Sequence, residues 1–315
     1  MLTGAAAGRR ARELGTLVGL VALAMLLSVL TPHFLSVSNL LNVAEQTSIN
    51  AVIAVGMTFV ILSGGIDLSV GSLLALSGVV LAAALRAGWP TAAALAAGLA
   101  VGGLSGLVNG ILITKGRLPA FIATLGMMSI ARGTALVFTG GRPISGFEAG
   151  FRKLSTAALL GVPAPVVVTV LVYVLGHLLL TRTRFGRYVY AIGGNEEATR
   201  LSGVSAAFHK TMVYVLSGVA SGLAAALLTA RLNSAQPIAG INYELDAIAA
   251  TVIGGTSLSG GVGTLHGTLV GALIMGVLRN GLNLLGTSSF FQQIVIGVVI
   301  ITAVLVDSML KPAAK

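Results

Sequence analysis

The polar chemistry of this chain is concentrated in two short runs that resemble each other. Asp67 and Ser69 lie in Gly64-Gly65-Ile66-Asp67-Leu68-Ser69-Val70-Gly71, and Ser257 and Ser259 lie in Gly254-Gly255-Thr256-Ser257-Leu258-Ser259-Gly260-Gly261. Five of the eight positions agree, in the pattern G-G-x-x-L-S-x-G. Amides are added by Asn109 in Asn109-Gly110-Ile111-Leu112 and by Asn280 and Asn283 in Asn280-Gly281-Leu282-Asn283. Hydroxyls and amides donate and accept without carrying charge. Their chemistry is hydrogen bonding to a neutral polyhydroxyl solute. These seven residues are the candidate lining of a solute pathway.

Bond-making chemistry has no such grouping. The chain has no cysteine, which excludes thiol catalysis, disulfides and cysteine metal sites. His33, His177, His209 and His266 are scattered, and no H-E-x-x-H occurs. No Gly-Lys dipeptide occurs anywhere, so a phosphate-binding P-loop is excluded. The residues predict no enzyme, no metal and no cofactor.

Each glycine run has two readings. Gly64-Gly65 ends one helix, and Asp67 or Ser69 caps the next; the run then serves tight packing. Alternatively, a helix broken at membrane depth exposes backbone polar groups to a water-filled path, lined by Ser69, Ser257 and Ser259. Asp67 divides in the same way between a cap and a direct pathway or gating role. Asp246, Arg132 and Arg279 are candidates for buried pairing. His177 reads as a packed residue, and His266 as a possible liner.

The elements that must position these groups are membrane helices. The chain is 56% hydrophobic and only 9% charged, far below the charge that coats a soluble domain. Its 42 glycines suit close helix approach. Ten apolar segments are candidate spans: 14–30, 41–62, 67–85, 91–113, 119–139, 163–181, 211–230, 244–258, 263–284 and 289–306. The spans 41–62 and 244–258 are weak, and both run into a copy of the glycine block. The run 14–30 reads as a retained helix, since no small-x-small cleavage site follows it. The predicted fold is all-α: one polytopic membrane bundle over 1–315, about ten transmembrane helices, with an internal repeat and broken helices.

Charge sets the orientation. With a cytoplasmic N-terminus, twelve Lys and Arg fall in cytoplasmic segments and five outside, which favours both termini inside. The net charge of +10 is then a matter of topology, and no nucleic acid is expected. Residues 140–162 form the outside loop, and 182–210 the largest cytoplasmic loop. On this count both glycine blocks emerge on one face, whereas an inverted repeat would separate them.

The cytoplasmic loop contains a self-contained helix over 195–202. Gly193-Gly194 forms a turn, and Asn195 is the N-cap. Glu196 and Glu197 meet the helix dipole, Glu196 pairs with Arg200, and Gly203 stops the helix. Gly194, Asn195, Glu196, Glu197, Arg200 and Leu201 are the expected docking residues for a partner.

Several stretches resemble a known family. They are Ala54-Val55-Gly56-Met57-Thr58-Phe59-Val60-Ile61-Leu62 with Gly65 to Leu76, Lys115-Gly116-Arg117 with Ala120 to Leu125, and Gly186-Arg187-Tyr188 through Gly203. Ser234-Ala235-Gln236-Pro237, Tyr243 to Ala250, Gly254 to Leu258 and Asn280 to Gly286 continue the likeness. Over about Leu30 to Asp307 the chain is similar to the membrane permease subunits of bacterial ATP-binding cassette importers for monosaccharides, the ribose, xylose, arabinose and galactose group. The resemblance implies a bacterial inner-membrane permease carrying ribose or another pentose, with xylose, galactose or a sugar-like signal molecule as alternatives. It implies a paired permease, a separate cytoplasmic ATPase and an extracytoplasmic sugar-binding protein, with helix 195–202 as the coupling helix. An ion-coupled secondary transporter is the rival, but the spans offer few titratable groups for it.

Overall fold

Long apolar runs with small residues at four-residue spacing produce helices, and helices dominate the computed structural model. It describes the backbone of residues 2–309 and the side chains of residues 14–305. Arg9, Arg10, Arg12, Lys311 and Lys315 of the charge count lie outside the described side chains. The order is α1 (Leu2–Leu30), α2 (Val37–Leu62), α3 (Val70–Arg86), α4 (Thr91–Thr114), α5 (Ala120–Thr139), β1 (Ile144–Ser145), α6 (Ala149–Thr156), β2 (Ala158–Leu159) and β3 (Val162–Pro163). There follow α7 (Ala164–Arg182), α8 (Arg184–Gly194), α9 (Glu196–Leu201), α10 (Ala206–Leu232), β4 (Ser234–Ala235), α11 (Tyr243–Ile253), α12 (Leu265–Leu284) and α13 (Ser289–Met309).

Each of the ten expected segments contains a helix. Among the described residues, six helices are long and apolar enough to cross a membrane: α2, α4, α5, α7, α10 and α12. The described apolar stretches Leu14–Leu30 of α1 and Ser289–Leu305 of α13, and the helix α3, add three more apolar segments. The segment 244–258 departs from expectation. It is the eleven-residue α11, about 16 Å long, and it reaches only halfway through a hydrocarbon layer of about 30 Å. Gly254 and Gly255 end it, and an irregular stretch to Thr264 follows before α12 begins.

The centre of the bundle is α10, clasped between α4 and α2. Gly98, Gly102, Gly106 and Gly110 form a stripe along α4. A Cβ at Gly102 would collide with the Gly218 carbonyl, one at Gly106 with the Tyr214 carbonyl, and one at Gly110 would lie 2.7 Å from Thr211 Cα. The order of these contacts makes α4 and α10 antiparallel. On the other side, a Cβ at Gly56 of α2 would lie 2.7 Å from Ser217 Cα. Lipid offers no hydrophobic drive for helix pairing, so close backbone contact and hydrogen bonds across helices hold this core. Thr58 and Thr268 share a 2.8 Å hydrogen bond between α2 and α12, and Thr114 and Thr211 a 3.1 Å one between α4 and α10.

One end of the bundle carries the loop 140–162, which folds onto its neighbours. Ile144 and Ser145 pair antiparallel with Ala235 and Ser234. Phe147 and Phe151 are buried against Leu81, Ala82, Ala226 and Ala230. The opposite end carries α8, α9 and both glycine blocks.

Candidate functional site

The two glycine blocks meet. Gly64 follows α2 with φ +80° and Gly255 follows α11 with φ +88°, a region glycine enters without strain. Both helices close alike. Gly64 N donates to Ile61 O (2.9 Å) and Gly65 N to Val60 O (3.0 Å), matched by Gly255 N to Val252 O (2.9 Å) and Thr256 N to Thr251 O (3.1 Å). The equivalent residues are therefore Gly64 and Gly255, one position out of the sequence alignment, which paired Gly64 with Gly254. The blocks diverge after this ending: α3 begins at Val70, whereas α12 waits until Leu265. Gly261 N then donates to Leu62 O (2.9 Å), joining block to block at one end of the bundle.

Helix α8 lodges in this junction. A Cβ at Gly193 would collide with the Leu62 carbonyl and come within 2.5 Å of Gly261 N. Tyr190 OH donates to Gly263 O (2.8 Å). Gly193 and Gly194 thus belong to the last turn of a helix, not to a free turn: contact with both blocks leaves no room for side chains at Gly193. The segment 182–210 is two helices, where only 195–202 was expected. Helix α8 is amphipathic, with Val189 and Ile192 buried and Arg184 and Arg187 exposed.

Helix α9 continues from it and is almost wholly exposed. Asn195 caps it by accepting from Ala198 N (2.9 Å), and Gly203 ends it with φ +82°. The expected Glu196–Arg200 pair is replaced. Glu196 reaches Lys210 of α10 (2.8 Å), while Arg200 meets Glu197 one turn back (3.4 Å). Lys210 holds Glu196 away from its helical neighbour. Leu201 is 79% exposed at the tip, an apolar side chain aimed outward.

The first three candidate pathway residues come together. Asp67 is fully buried. It accepts from Ser69 N (3.0 Å), Ser69 Oγ (2.6 Å) and Ser217 Oγ of α10 (2.8 Å). Asn109 Nδ2 donates to Ser69 Oγ (3.0 Å), and Tyr214 OH to Ile66 O (3.3 Å). Asp67 thus ties the broken stretch to α4 and α10. Ser69 occupies the N-cap position of α3 without a side-chain capping bond, because its hydroxyl is already given to Asp67.

The other four separate. Ser257 is buried and accepts from Ser259 N (3.3 Å) within the second block. Asn280 and Asn39 exchange reciprocal hydrogen bonds of 2.8 and 3.0 Å. The Asn-Gly pairs also differ in setting: Gly110 packs on α10, and Gly281 on Leu27 of α1. Asn283 accepts from Gln292 Nε2 (2.7 Å) and lines a cavity of about 170 Å³ between α2, α11, α12 and α13.

That cavity holds polar residues outside the seven candidates. Arg279 Nη2 contacts both oxygens of Asp246 at 2.7 Å, and Asn50 Nδ2 donates to Asp246 Oδ2 (3.2 Å). Gln46, Thr47, Tyr243 and Gln292 complete the polar lining. Asp246 and Arg279 thus pair with each other. Arg132 instead donates to the carbonyls of Pro237 (2.8 Å) and Ala239 (2.7 Å). His177 and His266 pack ring against ring, 4.5 Å between centroids.

Residues 39–304 match the family model described as "Branched-chain amino acid transport system / permease component". The chain is 52% identical to the ribose import permease protein RbsC of Bacillus subtilis (strain 168), covering 94% of this chain and 92% of that protein. It is also 52% identical to RbsC of Escherichia coli (strain K12), over 94% of each. The D-allose transport system permease protein AlsC of E. coli (strain K12) is 41% identical, over 94% and 91%. The chain belongs to this permease family. No solved structure matches it.

The permease is a multi-pass membrane component of a transport system. One sequence signal does point to its polar cavity. The polar start of span 41–62 contains Gln46 and Asn50, four residues apart and so on one face of α2.

Proposed function

We propose that this permease forms the sugar path of an ATP-driven importer and that its substrate is ribose. The high identity to ribose permeases over nearly the whole chain supports the substrate class. The observation that carries the mechanism is the seat of α8. Its last turn touches both helix breaks, and it leads directly into the exposed α9. A partner pressing on α9 and Leu201 therefore moves the ends of α2 and α11 together. A cytoplasmic ATPase drives transport only if it binds the outward- and inward-open forms with different affinity. The junction gives it a lever on both.

In this reading the junction end is cytoplasmic, with both termini on that side. The opposite end, with α6 and its flanking strands, receives sugar from an extracytoplasmic binding protein. Gln46 and Asn283 are exposed at membrane depth, where polar side chains face a water-filled path or a protein neighbour. A second copy of the permease, paired across this face, covers them.

The test is reconstitution. Vesicles holding the permease, with its ATPase inside and its binding protein outside, should accumulate labelled ribose only when ATP is enclosed on the ATPase face. Leu201→Asp should abolish co-purification of the ATPase while leaving the melting temperature of the isolated permease unchanged. Normal ATPase retention by that variant would sink the docking role.

A further inference from the structure

The cavity between α2, α11, α12 and α13 has the depth, chemistry and unfinished bonding of a binding site. From the glycine junction, Asp246 lies about 12 Å back along α11, Asn50 about 18 Å along α2, and Arg279 about 21 Å along α12. These depths bracket the middle of a hydrocarbon layer roughly 30 Å thick. Solute sites of transporters built from interrupted helices lie at that level. At about 170 Å³, the space equals roughly six water molecules, room for one pentose ring.

Three buried polar atoms of residues that line this space have no hydrogen-bond partner: Thr47 Oγ1, Asn50 Oδ1 and Arg279 Nε. Thr47 itself is only 5% exposed. An unpaired buried donor or acceptor costs about 1–3 kcal/mol, so three at one cavity mark missing company. The three supply a donor, an acceptor and a hydroxyl that does both. The charges cancel, because Arg279 and Asp246 are paired at 2.7 Å. An ion therefore gains little here. The Tyr243 ring, Met275, Ala250 and Ala272 provide an apolar wall, which suits the C–H face of a sugar. Gln46 and Asn283 are exposed at its edge and give it a mouth.

We infer that this cavity is a transient monosaccharide subsite within each permease, where a sugar hydroxyl pair satisfies Thr47, Asn50 and Arg279 during passage. The inference rests on the sugar-importer reading above. Binding is weak by design, since the Asp246 carboxylate is already held by Arg279 and Asn50 without sugar.

The complete importer, with cysteine-free partner subunits in lipid nanodiscs, tests it. The permease has no native cysteine, so Thr47→Cys introduces its only thiol at a hydroxyl that makes no hydrogen bond. D-ribose supplied through the binding protein should slow modification of that thiol by a charged methanethiosulfonate about fivefold, one hydrogen-bonded contact's worth. Sucrose should not. Ala272→Leu fills the cavity without touching its polar atoms, and should lower ribose uptake about tenfold while the ATPase still co-purifies. Equal thiol modification with and without ribose in every nucleotide state, beside normal ribose import by the unmodified protein, overturns the subsite. Retained ATPase and undiminished uptake in Ala272→Leu does the same, and should that variant fail to assemble, the thiol result decides. Absence of ribose import by the unmodified complex instead overturns the importer reading.

Discussion

At the scale of single residues, the two buried acids do different work. Asp67 accepts three hydrogen bonds from Ser69 and Ser217, and it binds a broken stretch of backbone to α10. Asp67→Ala strands those donors in the core. It should destabilise the permease by about 3–5 kcal/mol, seen as a large fall in melting temperature and in folded yield from detergent. Asp246 is held by Arg279 instead. Arg279→Met alone leaves a buried carboxylate uncompensated and should cost about 3–5 kcal/mol, whereas Arg279→Met with Asp246→Leu should recover most of it. A double-mutant cycle on melting temperature measures the difference, and equal losses in the single and double variants would refute the pairing. The sequence named Asp67, Asp246 and Arg279 as residues needing explanation, because charge in an apolar span always does. It left Asp67 between a cap and a pathway or gating role, and gave no sign of Ser217, which lies 150 positions away.

At the scale of elements, small residues decide which helices touch. The α4 stripe brings backbone to backbone with α10, so Gly106→Val must push the helices apart. It should abolish folded yield, read as loss of a monodisperse peak in size-exclusion chromatography. Gly193 has a subtler part. Gly193→Val displaces the end of α8 from Leu62 and Gly261 while leaving α9 free to dock. Ribose uptake should fall roughly tenfold, about 1.4 kcal/mol of coupling, with ATP hydrolysis continuing. Undiminished uptake would separate α8 from the drive mechanism. The α9 caps were legible in Asn195 and Gly203, because capping is local. The α8 helix was not, because its Gly193-Gly194 ending imitates a turn until Leu62 and Gly261 are seen beside it. The pairing of Glu196 with Lys210 was hidden for the same reason.

At the scale of the whole molecule, the membrane depth of the few charges separates the energy sources. An ion-coupled carrier needs titratable groups that alternate between the two sides. Here Asp67 is locked by hydroxyls and Asp246 by Arg279. Collapse of the proton gradient with ATP maintained should leave ribose uptake within about twofold of normal, whereas ATP depletion should abolish it. Loss of uptake on gradient collapse alone would favour the secondary transporter. The junction end brings the ends of α2 and α8 against the stretch that follows α11, which is where the proposed ATPase would act. The cavity lies between that end and the far one, flanked by α11, which stops halfway.

By itself the sequence determined the class of molecule and the positions of its breaks. Apolar runs of span length, sparse charge and paired Gly-Gly interruptions are local properties, and water and lipid act on them segment by segment. It also showed that no part of the chain could bind ATP through a P-loop. Only the tertiary structure decided how the breaks are seated. It brought Gly261 to Leu62 and Gly193 between the blocks, shifted the equivalence of the repeats by one residue, and drew Asp67, Ser69 and Asn109 into one hydrogen-bonded network. It placed Thr47, Asn50 and Arg279 around one space. Those outcomes depend on which helices lie side by side, and in lipid that choice is made by close packing of small surfaces and by matched hydrogen bonds far apart in the chain.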